Sequence, residues 1–374
     1  MPKFSEVIGQ ESVHRLLEGA LERDRLPHAY IFHGSPGVGK TTTAFALAQR
    51  LNCLEATQGD PCGACSPCRK YERLQHPDLH WHFPMPASVK GGKRAEEIRK
   101  QLDERLEPGI FRFHFSTAAS IAIGRDKDTR AGSVAELRHQ AGMHSVEART
   151  KVFVISEADR MTDAAANSLL KILEEPRPGN LLILCTSNPG ALLDTILSRC
   201  QALRFRDLTE DEIVALLQEK LAEPPSKKEA QLAAALAQGS LSRATGLVEE
   251  EVVEQRDRAV RFLNLLPDSP ESHLAVADLV AMKDRVLIER LFDFGDLWLG
   301  DVLRVLAGSS VPLANRDAEA LVREHARSLT IPEIKRRMAV LKEARRALRG
   351  NVYLPLILRD VIEKLHDRTA IPVG

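Results

Sequence analysis

The residues Gly34, Ser35, Pro36, Gly37, Val38, Gly39, Lys40 and Thr41 match the pattern G-x-x-x-x-G-K-[ST] in full. That spacing has a phosphate chemistry. Glycines let the backbone curl so that successive N–H groups point at phosphate oxygens. A helix that begins at the loop adds its positive end to the same anion. Lys40 reaches the β- and γ-phosphates, and the Thr41 hydroxyl ligates Mg²⁺. The expected phosphate-binding set therefore runs from Gly34 through Thr42. An apolar run, His28 to His33, precedes the loop, and a helical pattern from Thr41 to Arg50 follows it. This strand–loop–helix order makes an accidental match a poor explanation.

A P-loop domain usually carries an acidic pair at the end of a neighbouring strand. The candidate strand is Lys151 to Ile155. Its next two residues are Ser156, where an aspartate would hold Mg²⁺, and Glu157, where a glutamate would orient the attacking water. Asp159 lies two residues further on, at the wrong spacing. Nucleotide binding is thus well supported by the residues, and fast hydrolysis is not.

Cys53, Cys62, Cys65 and Cys68 are spaced C-x₈-C-x₂-C-x₂-C. Four thiolates at short spacing suit a closed tetrahedral zinc site, structural rather than catalytic because no open position remains. Gly63, Ala64, Ser66 and Pro67 allow the tight turns this needs. The nearby His76, His80 and His82 read as solvated or packed side chains, and Cys185 and Cys200 as packed thiols.

The elements that must position these groups alternate. A third strand is expected at Leu181 to Cys185 and a helix from about Asp163 to Glu175. Strands alternating with helices predict an α/β domain, a parallel sheet with helices on both faces. After Phe205 the pattern turns helical, with a capping box at Thr209 and Glu212. The expected organisation is a nucleotide-binding domain over 1–206, a small helical lid over 207–250 and a helical domain over 251–374. Within the first lie the zinc module, about 53–68, and a surface insertion, about 85–132, with the alternating run Phe111 to Phe115. Lys335 to Arg337, and Arg345 with Arg346, read as solvated helix faces.

Lys plus Arg equals Asp plus Glu, 52 each, so no strong basic excess marks a protein that grips nucleic acid alone. The absence of a membrane-length apolar run and of a signal-peptide layout leads to an expectation of a cytoplasmic protein.

Several stretches together resemble the AAA+ subunits of the bacterial replicative clamp loader. Glu6 to Gln10 resembles the segment lying near the adenine, which implies Val7 and Ile8 beside the base. Asn167 to Pro176 is similar to the helix after the acidic strand. Thr186 to Pro189 ends a strand where the family places its sensor-1 polar residue, implying that role for Thr186. Thr195 to Cys200 matches the family's Ser-Arg-Cys motif, which implies that Arg199 acts in trans on a neighbour's ATP. Gly239 to Arg243 resembles the sensor-2 region and implies a nucleotide contact for Arg243, although the motor subunit has its arginine one residue earlier, at Ser242. Arg345 to Tyr353 resembles the end of the collar, the oligomerisation domain.

The resemblance implies ATP, Mg²⁺ and Zn²⁺ as cofactors. It implies other loader subunits, the sliding clamp and primed DNA as partners. Glu157, Thr186 and Arg199 are its catalytic candidates. The wording around Met161 and Pro189, and the degraded Ser156 position, look more like the delta-prime members than the gamma/tau motor. Two alternatives stay open: a gamma/tau-like motor, and a structural stator that binds ATP without hydrolysing it. No polymerase chemistry is expected in this chain.

Overall fold

A computed structural model describes residues 7–56, 60–106, 119–124, 126, 128–221, 223–249, 251–282, 285–349 and 352–366. Glu6, the run Phe111 to Phe115 and Gly350 lie outside the described residues. The elements of the first part are α1 (Glu11–Glu22), β1 (Ala29–His33), α2 (Lys40–Asn52), α3 (Ser66–Glu72), β2 (Leu79–His82), α4 (Gly92–Leu106) and α5 (Val134–Ala141). They continue with β3 (Lys151–Ile155), α6 (Asp163–Glu174), β4 (Asn180–Thr186), α7 (Asp194–Leu197), β5 (Gln201–Arg204) and α8 (Glu210–Lys220).

The five strands form one sheet in the order β2-β3-β4-β1-β5, and every pairing is parallel. Parallel strands buried on both faces read as continuous apolar runs, and β1, β3 and β4 do so. Alternate side chains then feed two separate cores. Tyr30, Phe32, Val152 and Val154 pack on one face with Phe45 and Leu47 of α2. Ile31, Phe153 and Ile155 pack on the other with Leu137 of α5 and Leu169 and Leu173 of α6. The expected α/β architecture with helices on both faces is therefore what the chain adopts.

Two edge strands escaped the sequence pattern. β2 is the four residues Leu79 to His82, half-buried, and β5 is Gln201 to Arg204, mostly exposed. Neither has enough buried apolar positions to show a period.

The stretch expected to be a surface insertion is knitted in at its far end. Ser120 bridges Met85, Ile121 bridges Met161, and Ile121 is buried in the second core. Arg94 at the start of α4 is also buried, donating from Nε to the Ala131 carbonyl at 2.8 Å.

The chain divides into two compact units, Met1–Ala222 with Gly239–Ser242, and Glu223–Gln238 with Arg243–Gly374. The described elements of the second are helices: α9 (Lys227–Ala237), α11 (Val252–Leu263), α12 (Pro270–Ala281), α13 (Arg285–Leu306), α14 (Glu319–Ser328), α15 (Ile331–Arg349) and α16 (Leu354–His366). α10 (Leu241–Glu249) straddles the division. Within this unit the expected solvated faces are partly wrong. Arg337 is buried, and Arg345 is drawn into ion pairs with Asp293 and Asp296. The Arg337 guanidinium itself is shielded from solvent, and Asp293 with Asp296 compensates the Arg345 charge.

Candidate nucleotide site and cysteine cluster

In an open parallel sheet, ligands sit beyond the carboxyl ends of the strands. The ends of β1, β3 and β4 converge here. His33 is in register with Thr186, and the Gly34 N–H donates to the Thr186 carbonyl at 3.3 Å. The P-loop leaves β1 at this point and feeds α2, whose N-cap is Gly39.

Two of its glycines have no substitute. Gly37 has φ +77°, and a Cβ there would lie 2.4 Å from the backbone nitrogen of Ser242. Gly39 has φ +96°, and a Cβ would meet Val7 at 2.9 Å. Both the left-handed backbone and the close neighbours demand a missing side chain. The same contacts put Val7 and Ser242 against the loop. Arg243, the expected sensor-2 residue, pairs with Asp293 of α13 at 3.1 Å.

Lys40 is 6% exposed, and its ammonium donates to the carbonyls of Gly34 and Ser35, both at 2.7 Å. Those two oxygens occupy the donors that phosphate oxygens would take. Burial holds the Lys40 pKa below its ordinary value, with Glu157 and Asp159 among the groups opposing that shift. A partly desolvated ammonium gains most from an arriving anion.

At the end of β3, Ser156 is fully buried. Its hydroxyl lies 3.2 Å from the Thr41 hydroxyl and accepts the Trp81 indole N–H at 3.0 Å. Ser156 therefore faces the P-loop threonine, as the replaced aspartate would. It brings no charge, and Trp81 takes one of its lone pairs. The indole is held in place edge-on against Phe45 and beside Phe83, with ring centroids 5.4 and 4.8 Å away.

Glu157 adopts a left-handed backbone, φ 51° and ψ 48°, uncommon for a residue with a Cβ. Burial and then the Asp159 charge raise its carboxyl pKa, while Lys40 pulls the other way. Asp159 is engaged by the sensor-1 candidate: the Thr186 hydroxyl donates to it at 2.6 Å and accepts the Asn188 N–H at 3.0 Å. Thr186 and Asp159 are thus hydrogen-bonded at the strand ends, with the Glu157 and Lys40 charges acting on the same region.

Gln10, the last residue of the Glu6 to Gln10 motif, staples the site. It is 1% exposed. Its amide donates to the carbonyls of Val38 and Arg206 at 3.2 and 3.0 Å and accepts the Arg206 N–H at 3.1 Å. It ties the phosphate loop to the chain leaving β5.

Arg199 follows α7. It donates to the Thr195 carbonyl at 2.9 Å and pairs with Glu174 of α6 at 3.0 Å. Its side chain keeps 35% of its surface exposed. The guanidinium is oriented but remains open to a partner.

The other end of α2 is capped by Cys53. The sulfurs of Cys53, Cys62, Cys65 and Cys68 all lie within 4.8 Å of one another, and none is in a disulfide. A tetrahedral zinc with Zn–S of about 2.3 Å would place its sulfurs about 3.8 Å apart. The Cys53–Cys65 pair already stands at 4.0 Å. The N–H groups of Cys65 and Ala64 lower the Cys62 thiol to about 6. The donor set therefore fits zinc, and all four residues would hold it.

His76, His80 and His82 are packed rather than ligating. His76 stacks on Tyr71 at 4.4 Å and His80 on Phe153 at 4.8 Å, while His82 is 4% exposed. Burial raises the thiols of Cys185 and Cys200 to about 12, as expected of packed cysteines.

The family model described as "DNA polymerase III, delta subunit" matches residues 9–209. The DNA polymerase III subunit delta' of Bacillus subtilis (strain 168) is 28% identical over 361 residues, 96% of this chain and 96% of its own. The gamma/tau subunit of Mycoplasma pneumoniae is 31% identical over 255 residues, 66% of this chain but 31% of that protein. The tau subunit of Escherichia coli (strain K12) is 30% identical over 293 residues, 76% of this chain and 39% of that protein. The chain therefore spans about a third of those gamma/tau relatives.

Proposed function

The chain belongs to the DNA polymerase III delta subunit family, and on that premise we propose that it is a delta-prime-like subunit of the clamp loader. In this reading it sits in a ring of related subunits that loads a sliding clamp onto primed DNA at the expense of ATP. Full-length similarity to a delta' subunit supports it over the gamma/tau reading. The domain plan of nucleotide-binding part, lid and collar goes with the same proposal, as does a cytoplasmic location. No described helix is long and apolar enough to cross a membrane.

The single observation that carries the mechanism is the contrast at the strand ends. The phosphate loop is complete and its lysine buried and poised, while the metal-facing position is a serine engaged by Trp81. This chain then binds ATP through Gly34 to Thr42, with Val7 and Ile8 beside the base and Thr41 as the Mg²⁺ ligand. Mg²⁺, when bound, would neutralise phosphate charge. Glu157 and Thr186 would orient a water, and Arg243 is the sensor-2 candidate. The chain's stronger catalytic contribution is Arg199, which meets the ATP of the next subunit. Zn²⁺ in the cysteine cluster is structural.

The test is Arg199→Ala in the assembled complex. An arginine supplied in trans accelerates turnover by roughly 10³-fold or more at the site it serves. The variant should silence that one site while the chain's own nucleotide affinity stays as it was. Unchanged ATPase of the complex would remove the proposal's central residue.

The engaged Ser156 hydroxyl favours a second reading within the same complex, a stator that binds nucleotide without turning it over. Isolated protein should then bind a nonhydrolysable ATP analogue and release no phosphate from ATP. Rapid turnover by the purified chain would decide for the motor-like alternative. Ser156→Asp should raise turnover from background if the missing carboxylate is what limits it.

A further inference from the structure

Helix α3 follows the cysteine turns. Ser66, Arg69 and Lys70 of the helix and Arg73 at its C-cap stand at i, i+3, i+4 and i+7, the spacing of one helix face. With Gln75 just beyond the helix, they line a pocket of about 260 Å³. Each of the five side chains brings a hydrogen-bond donor, three are cations, and no carboxylate is in the lining.

The cations are partly arranged in advance. Arg69 Nε donates to the Ala64 carbonyl at 2.8 Å, which orients the guanidinium and leaves its other nitrogens available. Lys70 reaches both carboxylate oxygens of Glu147, at 2.6 and 2.5 Å. Glu147 is itself fixed, because the buried Asp78 accepts the N–H groups of Val146, Glu147 and Ala148 at 2.9 to 3.0 Å. Among the described residues Arg73 has no ion pair. Glu72, the acid on α3 itself, has an oxygen on the Gly63 side, 3.7 Å from where a Cβ there would sit. One carboxylate contact therefore stands against three cations.

We propose that this pocket binds a phosphodiester of a nucleic-acid backbone. Planar guanidinium groups recognise phosphate oxygens in pairs, and Lys70 adds a point charge. Ser66 and Gln75 supply neutral donors for the remaining oxygens. No aromatic ring lines the pocket, so nothing there stacks on or reads a base. The contact is sequence-independent and modest, an electrostatic increment on a chain of zero formal net charge. It places nucleic acid on the cysteine module, and it holds whether or not the P-loop is filled.

The test uses the full-length, zinc-loaded protein and a fluorescein-labelled oligothymidylate of about 20 nucleotides, read by anisotropy at about 50 and 200 mM salt. Arg73→Glu should weaken binding about tenfold and flatten the salt dependence by about 0.7 in log–log slope. Glu147→Gln frees Lys70 and should tighten binding about threefold. Retained zinc content shows that the module is intact in each variant. Equal binding by wild type and Arg73→Glu would overturn the proposal. So would a wild type that binds no oligonucleotide, or one that binds only inorganic phosphate, read as ³¹P line broadening lost in Arg73→Glu. An oligoglutamate bound as tightly as the oligonucleotide would overturn it as well.

Discussion

At its N-terminus α2 meets the phosphate loop, where the donors are backbone N–H groups and one buried lysine. At its C-terminus, about 20 Å along the helix, Cys53 joins three further thiols. The first end is held by the chain's own groups. Its glycines hold their backbone, Gln10 ties the loop down, and Lys40 satisfies itself on two carbonyls. The second end is built from sulfur donors. Four sulfurs converge, the Cys53 and Cys62 sulfurs accept the N–H groups of Cys62 and Cys65, and burial pushes the Cys68 thiol well above its ordinary range. A metal would supply the charge that lets these thiols ionise together. The difference teaches that one end is held by its own backbone and buried amides, and the other by four thiols whose donor set fits a metal.

The largest effect should come from breaking the second end. Cys62→Ala with Cys65→Ala should drop bound zinc from about one per chain to none and open residues 53–75 to proteases, because the ion holds the fold of such modules. Nucleotide affinity should change by less than about threefold. Full zinc content in the double variant would dissolve the comparison.

Breaking the first end should do the reverse. Lys40→Ala removes a charge-assisted contact of about 1.5–3 kcal/mol, so nucleotide affinity should fall roughly 10- to 100-fold. Zinc content should stay as it was. Calorimetry on the purified chain distinguishes the two, and wild-type affinity in Lys40→Ala would mean the loop is not the nucleotide site.

Acid sharpens the contrast more gently. Burial holds His82, on the strand after the cysteine module, down to about 4 from 6.5. A lowered folded value means that the unfolded chain takes up the proton first as pH falls. Stability is therefore intact above 6.5 and is lost from there down to about 4. Between pH 7 and 5 this amounts to about 2 kcal/mol. His82→Phe should remove that increment in urea titrations, whereas zinc release contributes equally to both proteins. Identical pH slopes would show that His82 does not titrate as its burial requires.

Much of this was legible because it is local. The phosphate loop lies in consecutive residues, and its geometry depends on backbone that glycine alone permits. The cysteine turns are likewise short-range. β1, β3 and β4 were visible as buried apolar runs, and the box at Thr209 and Glu212 caps α8 as its pattern predicts. The edge strands β2 and β5 were not, since Leu79 to His82 and Gln201 to Arg204 carry too few buried positions to show a period. The delta-prime resemblance found in short motifs extends, in the Bacillus subtilis relative, to nearly the whole chain.

By itself, then, the sequence determined the phosphate loop, the four-thiol cluster, the alternating α/β plan and the substitution at Ser156. Each is contained in a short stretch whose physics needs few distant neighbours. Only the tertiary structure decided what surrounds them. Trp81 reaches Ser156 across 75 positions of chain, and Gln10 reaches Arg206 across 196. Such contacts are set by which strands lie side by side, and hydrogen bonds between them leave no period or motif to read. The same holds for the basic pocket, whose Lys70 is held by Glu147 from 77 residues away. Charges that look solvated one at a time become a site only when folding brings their neighbours into place.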